Sequence, residues 1–307
     1  MKSAAKHIPV LFSETMAALA VKEGGRYIDG TLGRAGHTRG IIERGGMVLG
    51  IDRDDQALEE VGAMDFGGRL LSVKGVHGDL EKIAAANGWE KVDGILLDLG
   101  VSSPQLDEAG RGFSFMRSGP LDMRMDRTRI LSAAEIVNAY PVEELVRILR
   151  EYGEEREALR LAKAIVRRRE TKKFTDTMEL ATFIEQTVGR HGAHHPATRT
   201  FQALRMEVND EMGELERALE GGMRILKKGG RFCVITFESL TDRVVKQFFA
   251  AHVGKMESLQ QGGEKWTGES PRAVKVTKKP IAATEEELKK NPRSRSALLR
   301  VIEKGEM

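Results

Sequence analysis

A chain of 307 residues, 40% hydrophobic and 31% charged, is long enough to bury a substantial core and to exceed one ordinary domain. No apolar run reaches the length that spans a bilayer, and no continuous apolar segment of a secretory leader follows Met1-Lys2-Ser3-Ala4-Ala5-Lys6-His7, so a cytoplasmic protein with no membrane partner is expected. The net charge of +3 is too small to argue by itself for a polyanionic partner, and the single cysteine, Cys233, excludes an intramolecular disulfide and a thiolate metal cluster.

In chain order, short β-branched or Leu-rich runs at 26–29, 47–51, 70–73 and 92–97 read as buried strands, with helix-like segments at 38–44, 56–63 and 80–87 between them. Strand alternating with helix implies parallel strands and right-handed crossovers, hence an α/β, doubly wound sheet. From about 105 to about 210 the β-branched runs thin out, and charged amphipathic stretches such as 133–144 and 154–170 predict a helical insertion. A helix over 211–226, a turn at Lys227-Lys228-Gly229-Gly230 and strand-like runs at 230–237, 273–277 and 296–302 resume the sheet. Cys233 falls inside an apolar run and is expected in the core, whereas Gly262-Gly263 reads as a loop.

The first strand leads into Asp29-Gly30-Thr31-Leu32-Gly33-Arg34-Ala35-Gly36-His37-Thr38, a glycine-bearing turn that lets a ligand approach the backbone. At the end of the second strand stands Asp52, where a carboxylate can accept hydrogen bonds from both hydroxyls of a ribose. Together Gly33 and Asp52 specify a nucleoside-containing cofactor; an ordinary turn beside a surface aspartate is the competing reading. The dinucleotide pattern G-x-G-x-x-G is broken, because Ala35 and Thr38 hold its second and third glycine places counted from Gly33. A pyrophosphate cradle is therefore not encoded, which argues against a dehydrogenase, while S-adenosylmethionine has no phosphate and needs no such spacing. The third and fourth strands end near Leu80 and Asp98, placing Leu80 to pack on an adenine face and Asp98 to reach the methionine end or the substrate, with a solvated strand cap as the competing reading for Asp98.

Beyond the fourth strand, Asp98-Leu99-Gly100-Val101-Ser102-Ser103-Pro104-Gln105-Leu106-Asp107, Arg111-Gly112-Phe113-Ser114-Phe115 and Gly119-Pro120-Leu121-Asp122-Met123-Arg124-Met125-Asp126 follow in close order. Further motifs are His7-Ile8-Pro9-Val10-Leu11, Tyr152-Gly153-Glu154-Glu155-Arg156, the run from His195 to Arg205, and Asn291-Pro292-Arg293-Ser294-Arg295-Ser296. These closely resemble the bacterial 16S ribosomal RNA cytosine-N4 methyltransferase family over nearly the whole chain. The resemblance implies a Rossmann-like class I methyltransferase domain from 1–106 and 211–307, with 107–210 as a helical insertion for RNA recognition. It also implies S-adenosylmethionine as donor, a decoding-region cytidine of 16S ribosomal RNA or the small subunit as acceptor, and donor contacts at Ala35, Gly36, His37, Asp52, Leu80, Asp98 and Gln105. Two positions depart from the family pattern: Ala35 replaces a usual glycine, and Glu238 replaces the histidine of a Phe-His-Ser-Leu segment.

An exocyclic cytosine amine is a poor nucleophile because its lone pair is delocalised, so the protein must position and polarise it. Asp98, or a main-chain carbonyl of Val101-Ser102-Ser103-Pro104, is expected to accept a hydrogen bond from that amine, and Phe113 or Phe115 to stack on the base or else to fill the core. Arg156, Arg160, Lys163 and Arg167 form one stripe of a presumed helix bordering Leu159, Ala162 and Val166; Arg168, Arg169, Lys172 and Lys173 continue it. His195, Arg199 and Arg205 add a second basic cluster, and Arg293, Arg295 and Arg300 a third, all suited to phosphates or to a solvated face. No metal is expected at His191, His194 and His195, which lie in a loop with no cysteine nearby. A homodimer is compatible with the sequence. The alternative function is a non-catalytic RNA-binding or ribosome-assembly protein on a decayed methyltransferase fold.

Overall fold

The computed structural model describes residues 9–100, 103–190, 195–253, 255–258, 264–267 and 272–305. It falls into two units, Met1–Gly100 with Gly213–Met307, and Val101–Met212.

In the first unit, α1 (Phe12–Leu19), β1 (Arg26–Asp29), α2 (Gly36–Glu43), β2 (Met47–Asp52), α3 (Asp55–Gly62), β3 (Leu70–Lys74), α4 (Leu80–Ala86) and β4 (Val92–Asp98) alternate as the sequence predicts, apart from α1, which sequence reasoning missed. The second unit carries α5 (Ser103–Asp107), α6 (Ala133–Ala139), α7 (Val142–Glu151), α8 (Ala158–Thr171), α9 (Thr177–Val188) and α10 (Ala197–Asn209). The chain then returns through α11 (Glu211–Ile225), β5 (Leu226–Thr236), α12 (Ser239–Val253), β6 (Lys255–Ser258), β7 (Glu264–Thr267), β8 (Ala273–Lys275), β9 (Ile281–Ala282), α13 (Glu285–Lys290) and β10 (Leu298–Lys304).

The main sheet runs β3-β2-β1-β4-β5-β10-β8, with β9 also pairing β10, and β6 pairs β7 separately. Strands β1 to β5 are mutually parallel, and β10 is antiparallel to β5, β8 and β9. Alternate side chains separate two core layers. Ile28, Leu49, Ile95, Leu97, Phe232 and Val234 pack with residues of α4, α11 and α12, while Tyr27, Val48, Leu96, Cys233 and Ile235 pack with residues of α1 and α2. Cys233 is fully buried, as its apolar context implies.

The turn predicted at 227–230 lies instead inside β5. Pairing shifts there between Val92↔Leu226 and Gly94↔Arg231, so the extra residues form a bulge, with Gly229 at φ +70° and Lys227 held 2.9 Å from Asp93. The helix predicted over 133–144 is two helices, because Pro141 forces Tyr140 to ψ 141° and out of helical conformation. The helix predicted over 154–170 starts only at Ala158: Glu154 takes φ 49°, and the Glu155 carboxylate accepts from Glu157 N. Between α5 and α6 the expected helical character gives way to a strapped loop. Asn209 holds that loop from α10, its Oδ1 accepting from Met125 N at 2.8 Å and its Nδ2 donating to Met123 O at 2.9 Å. Gly119 has to be glycine there, since a Cβ would stand 2.1 Å from the Ala109 carbonyl oxygen.

Candidate active site

Three of the neighbouring parallel strands end on an aspartate: β1 on Asp29, β2 on Asp52 and β4 on Asp98. The register pairs Asp29 with Gly50 and Leu96, which brings the three carboxyl ends to one edge of the sheet. Asp29 was not singled out from the sequence. Its signal was available, an aspartate closing an apolar strand as Asp98 does.

Asp52 organises the glycine turn. Its Oδ2 accepts from Gly33 N at 2.7 Å and its Oδ1 from Asp54 N at 2.9 Å. Burial raises its carboxyl above the ordinary value, against the pull of those two N–H donors. Gly33 sits at φ +49°, where a Cβ would meet only the Thr31 carbonyl oxygen, at 3.8 Å. Ala35, at φ 58°, ends the turn and is fully buried against Leu32 and Val61. Gly36 opens α2 beneath Pro9, where a Cβ would come within 2.4 Å of the proline ring.

A second network joins Asp29, Asp98 and α2. Asp29 accepts from Thr38 Oγ1 at 2.7 Å and from Thr31 N at 3.2 Å, and the Asp98 N–H donates to Thr31 Oγ1 at 2.7 Å. His37 places Nδ1 3.7 Å from Asp98 Oδ2 and Nε2 3.0 Å from the Val10 carbonyl oxygen. Burial pushes Asp29 up to about 6 despite those donors, and burial with the Asp29 charge pushes Asp98 up to about 7. Carboxyls held in that range are suited to proton transfer near neutrality.

Below this edge, Arg53 and Glu214 form a buried ion pair, with His77 Nδ1 3.7 Å from Glu214 Oε2. Burial, then the positive charges of Arg53 and Arg217, hold the His77 pKa down at about 3, so the ring is neutral. Leu80, expected against an adenine, is wholly enclosed in the core layer that contains Ile51 and Leu97. Glu238 precedes α12, and its main-chain carbonyl accepts from Thr241 Oγ1 and Asp242 N.

The three carboxylates make this edge acidic. Such an edge repels a pyrophosphate and favours a cation, and Asp52 keeps a second lone pair on each oxygen for ribose hydroxyls. The donor set therefore fits an adenosyl sulfonium. Of the expected contacts, Gly33, Ala35, Gly36, His37, Asp52, Leu80 and Asp98 fall in the first unit. Gln105 is buried in the second unit, within α5. The Val101–Ser102 stretch, the side chains of Ser103 and Pro104, His7 with Ile8, His191, His194 and Gly262-Gly263 lie outside the described residues.

Within the second unit the expected base-stacking faces are engaged. Phe113 is 7% exposed in the core with the Arg111 guanidinium 5.9 Å from its ring centroid, and Phe115 packs on His195 and Phe201 at 4.8 and 4.9 Å. The basic residues divide into two groups. Arg160, Lys163 and Arg167 are exposed along α8 with Arg156 just before it; of the residues expected beside them on the buried face, Ala162 is buried and Val166 packs on the core, whereas Leu159 is 45% exposed. Arg168 pairs with Glu179, Arg169 donates to Val137 O, and Arg205 is held bidentate by Glu211, so these serve the fold of the unit. In the first unit Arg300 is likewise paired, with Asp242.

Residues 4–305 match the model of the MraW methylase family. The chain is 47% identical over 303 residues to ribosomal RNA small subunit methyltransferase H of Carboxydothermus hydrogenoformans, covering 97% of each chain. It is also 47% identical over 306 residues to the protein of that name from Symbiobacterium thermophilum, covering 97% of this chain and 96% of the relative. A glycine turn tied to a strand-end aspartate, an acidic sheet edge and a match along almost the entire sequence agree: the chain belongs to the MraW methylase family.

Proposed function

We propose that this chain methylates small-subunit ribosomal RNA with S-adenosylmethionine as donor, at the exocyclic N4 amine of a cytidine in the decoding region of 16S ribosomal RNA. The rRNA methyltransferase activity rests on family membership and on relatives named for it. The choice of an amine rests on one observation, that Asp98 closes β4 with a carboxyl that burial and the Asp29 charge push up to about 7, a group able to accept an amine hydrogen when ionised. Methylation at cytosine C5 instead needs a thiolate that attacks the ring. The single cysteine, Cys233, is fully buried in β5 with its thiol pushed up by burial, so it cannot serve.

The bound donor supplies an electrophilic methyl on a sulfonium. The chain's own residues do the positioning. Asp52 holds the ribose and the Gly33 turn, and Ala35, Gly36 and His37 border the donor at the start of α2. Asp98 accepts a hydrogen bond from the amine, localising its lone pair toward the methyl carbon. The exposed ridge of Arg156, Arg160, Lys163 and Arg167 meets RNA phosphates, which gives the helical unit at about 107–210 its role in substrate recognition.

The test is mass spectrometry of small-subunit RNA from cells lacking the gene, with purified protein added back to subunits or to naked RNA. A missing N4-methylcytidine restored by the protein is the expected result. An intact cytidine pattern, or a missing ribose or C5 methyl instead, defeats the N4 assignment. The same experiment, with no methyl missing and no donor uptake, would favour the non-catalytic reading.

A further inference from the structure

When an amine becomes methylated its nitrogen must shed a proton, and the site described above has a place for it. We propose that Asp98 and His37 form a proton-holding pair: Asp98 takes the proton from the amine nitrogen, and His37 Nδ1 receives it from Asp98. The proposal rests on the reading that Asp98 meets the amine.

The tautomer of His37 is decided by its surroundings. A carbonyl oxygen only accepts, so the 3.0 Å contact between Nε2 and Val10 O requires the hydrogen on Nε2. The neutral ring therefore presents the Nδ1 lone pair, and that atom faces Asp98 Oδ2 at 3.7 Å. This is longer than a hydrogen bond but within the range that apo sites close on binding. The imidazole side chain is 6% exposed and stacks on Phe12 with ring centroids 6.1 Å apart, so its orientation is set by packing. On the other side the Asp98 main chain is pinned to Thr31, which also donates its N–H to Asp29. Among the described residues, the Asp29 carboxylate on β1 faces Asp98, and Asp52 on β2 in turn faces Asp29. Two neighbouring carboxylates resist carrying full charge together, and that resistance favours a proton kept at Asp98 and His37.

The step balances as follows. The amine lone pair forms the new N–C bond while the C–S pair remains on sulfur, leaving a neutral thioether and a positively charged nitrogen. That nitrogen loses H⁺ to an Asp98 oxygen, whose lone pair forms the O–H bond. The proton then passes to Nδ1, giving an imidazolium that retains its Nε2–H bond to Val10. Release to water resets the pair. Asp98 must be ionised at the start, a state that a cation bound beside it favours.

The decisive measurement is two-dimensional NMR of the free protein labelled with ¹⁵N-histidine, titrated with and without Asp98→Asn. His37 is expected as the Nε2–H tautomer at high pH, and Asp98→Asn is expected to move its protonation down by about one pH unit or more, since the carboxylate that supports the imidazolium is gone. At saturating donor the same variant should lose about 100-fold or more in single-turnover rate. His37→Gln should slow repeated turnovers more than the first, because only later turnovers need the pair emptied. A His37 titration indifferent to Asp98→Asn, or a ring protonated on Nδ1, overturns the pair while a collapsed single-turnover rate leaves the amine reading standing. A responsive His37 with an undiminished rate removes Asp98 from the amine and defeats both.

Discussion

The Gly33 N–H donates to Asp52 Oδ2 at 2.7 Å, across 19 residues of sequence, and so couples the glycine turn to the end of the neighbouring strand. One carboxylate shapes the loop, and in the proposed donor site its remaining lone pairs would meet a ribose. Asp52→Ala should therefore weaken donor binding twice over, by loss of charged hydrogen bonds worth roughly 1.5 to 3 kcal/mol each and by loosening of the loop. Calorimetric titration with S-adenosylmethionine should show a decrease of about 100-fold or more. A variant that binds like the parent would remove Asp52 from the site.

Asp98 should make the free protein less stable as pH rises. Its folded-state carboxyl sits at about 7, above the value in an unfolded chain, so the native state binds more protons between those two values and loses stability as pH climbs through them. Asp98→Asn removes this loss. Its side chain is still 25% exposed, which trims the effect to about 1 to 2 kcal/mol. Melting curves should place the variant above the parent at pH 8, with the difference shrinking toward pH 4; equal gaps at both ends would contradict the assignment.

The Arg53–Glu214 pair is buried on both sides, at 8% and 3% side-chain exposure. Glu214→Ala leaves a buried guanidinium without its carboxylate and should cost about 3 to 5 kcal/mol in urea unfolding. His77, beside the same carboxylate, has a pKa lowered to about 3, so its contribution runs the other way from Asp98. Stability is lost as pH falls from the ordinary histidine value toward 3, and His77→Gln should flatten that limb.

Ala35 holds a left-handed conformation at φ 58° with its methyl fully buried. Left-handed backbone costs a non-glycine residue about 1 to 2 kcal/mol, and burying a methyl returns about 0.8 kcal/mol. Ala35→Gly should change stability by no more than about 1 kcal/mol, on the stabilising side, with donor affinity retained. A large loss in either measurement would show that the methyl has a role that packing does not explain.

Lys163 and Arg167 are exposed on α8, and neither is tied into an ion pair among the described residues. Replacing both with Ala should weaken RNA binding with little dependence on sequence and lower the slope of log affinity against log salt by about 1.4 to 1.8, at roughly 0.7 to 0.9 per phosphate. Donor affinity should be untouched. An unchanged salt slope would place the RNA elsewhere on the molecule.

Much of the first unit was legible because its signals are local. The predicted runs at 26–29, 47–51, 70–73 and 92–97 coincide with β1 to β4 to within one residue; β1, β2 and β4 are buried continuous apolar segments, whereas β3, expected to be buried, is the edge strand and leaves Leu71 exposed. The misreadings arose where local pattern and long-range contact disagree. Lys227-Lys228-Gly229-Gly230 has the composition of a turn, but pairing with β4 and the Lys227–Asp93 contact draw it into β5 as a bulge. Arg205 looked like part of a basic cluster, but Glu211 holds it in a buried bidentate pair.

Residue order alone determined that a glycine turn follows the first strand and that aspartates close the second and fourth, because strand length and turn chemistry are set by neighbours in the chain. Only the fold decided that Asp29 stands beside Asp98 and that His37 turns its Nδ1 toward it, because those relations depend on strand register and on which carbonyl, here Val10, reaches the far side of the ring. Proton affinity follows from burial and neighbouring charge, and neither exists until the sheet has formed.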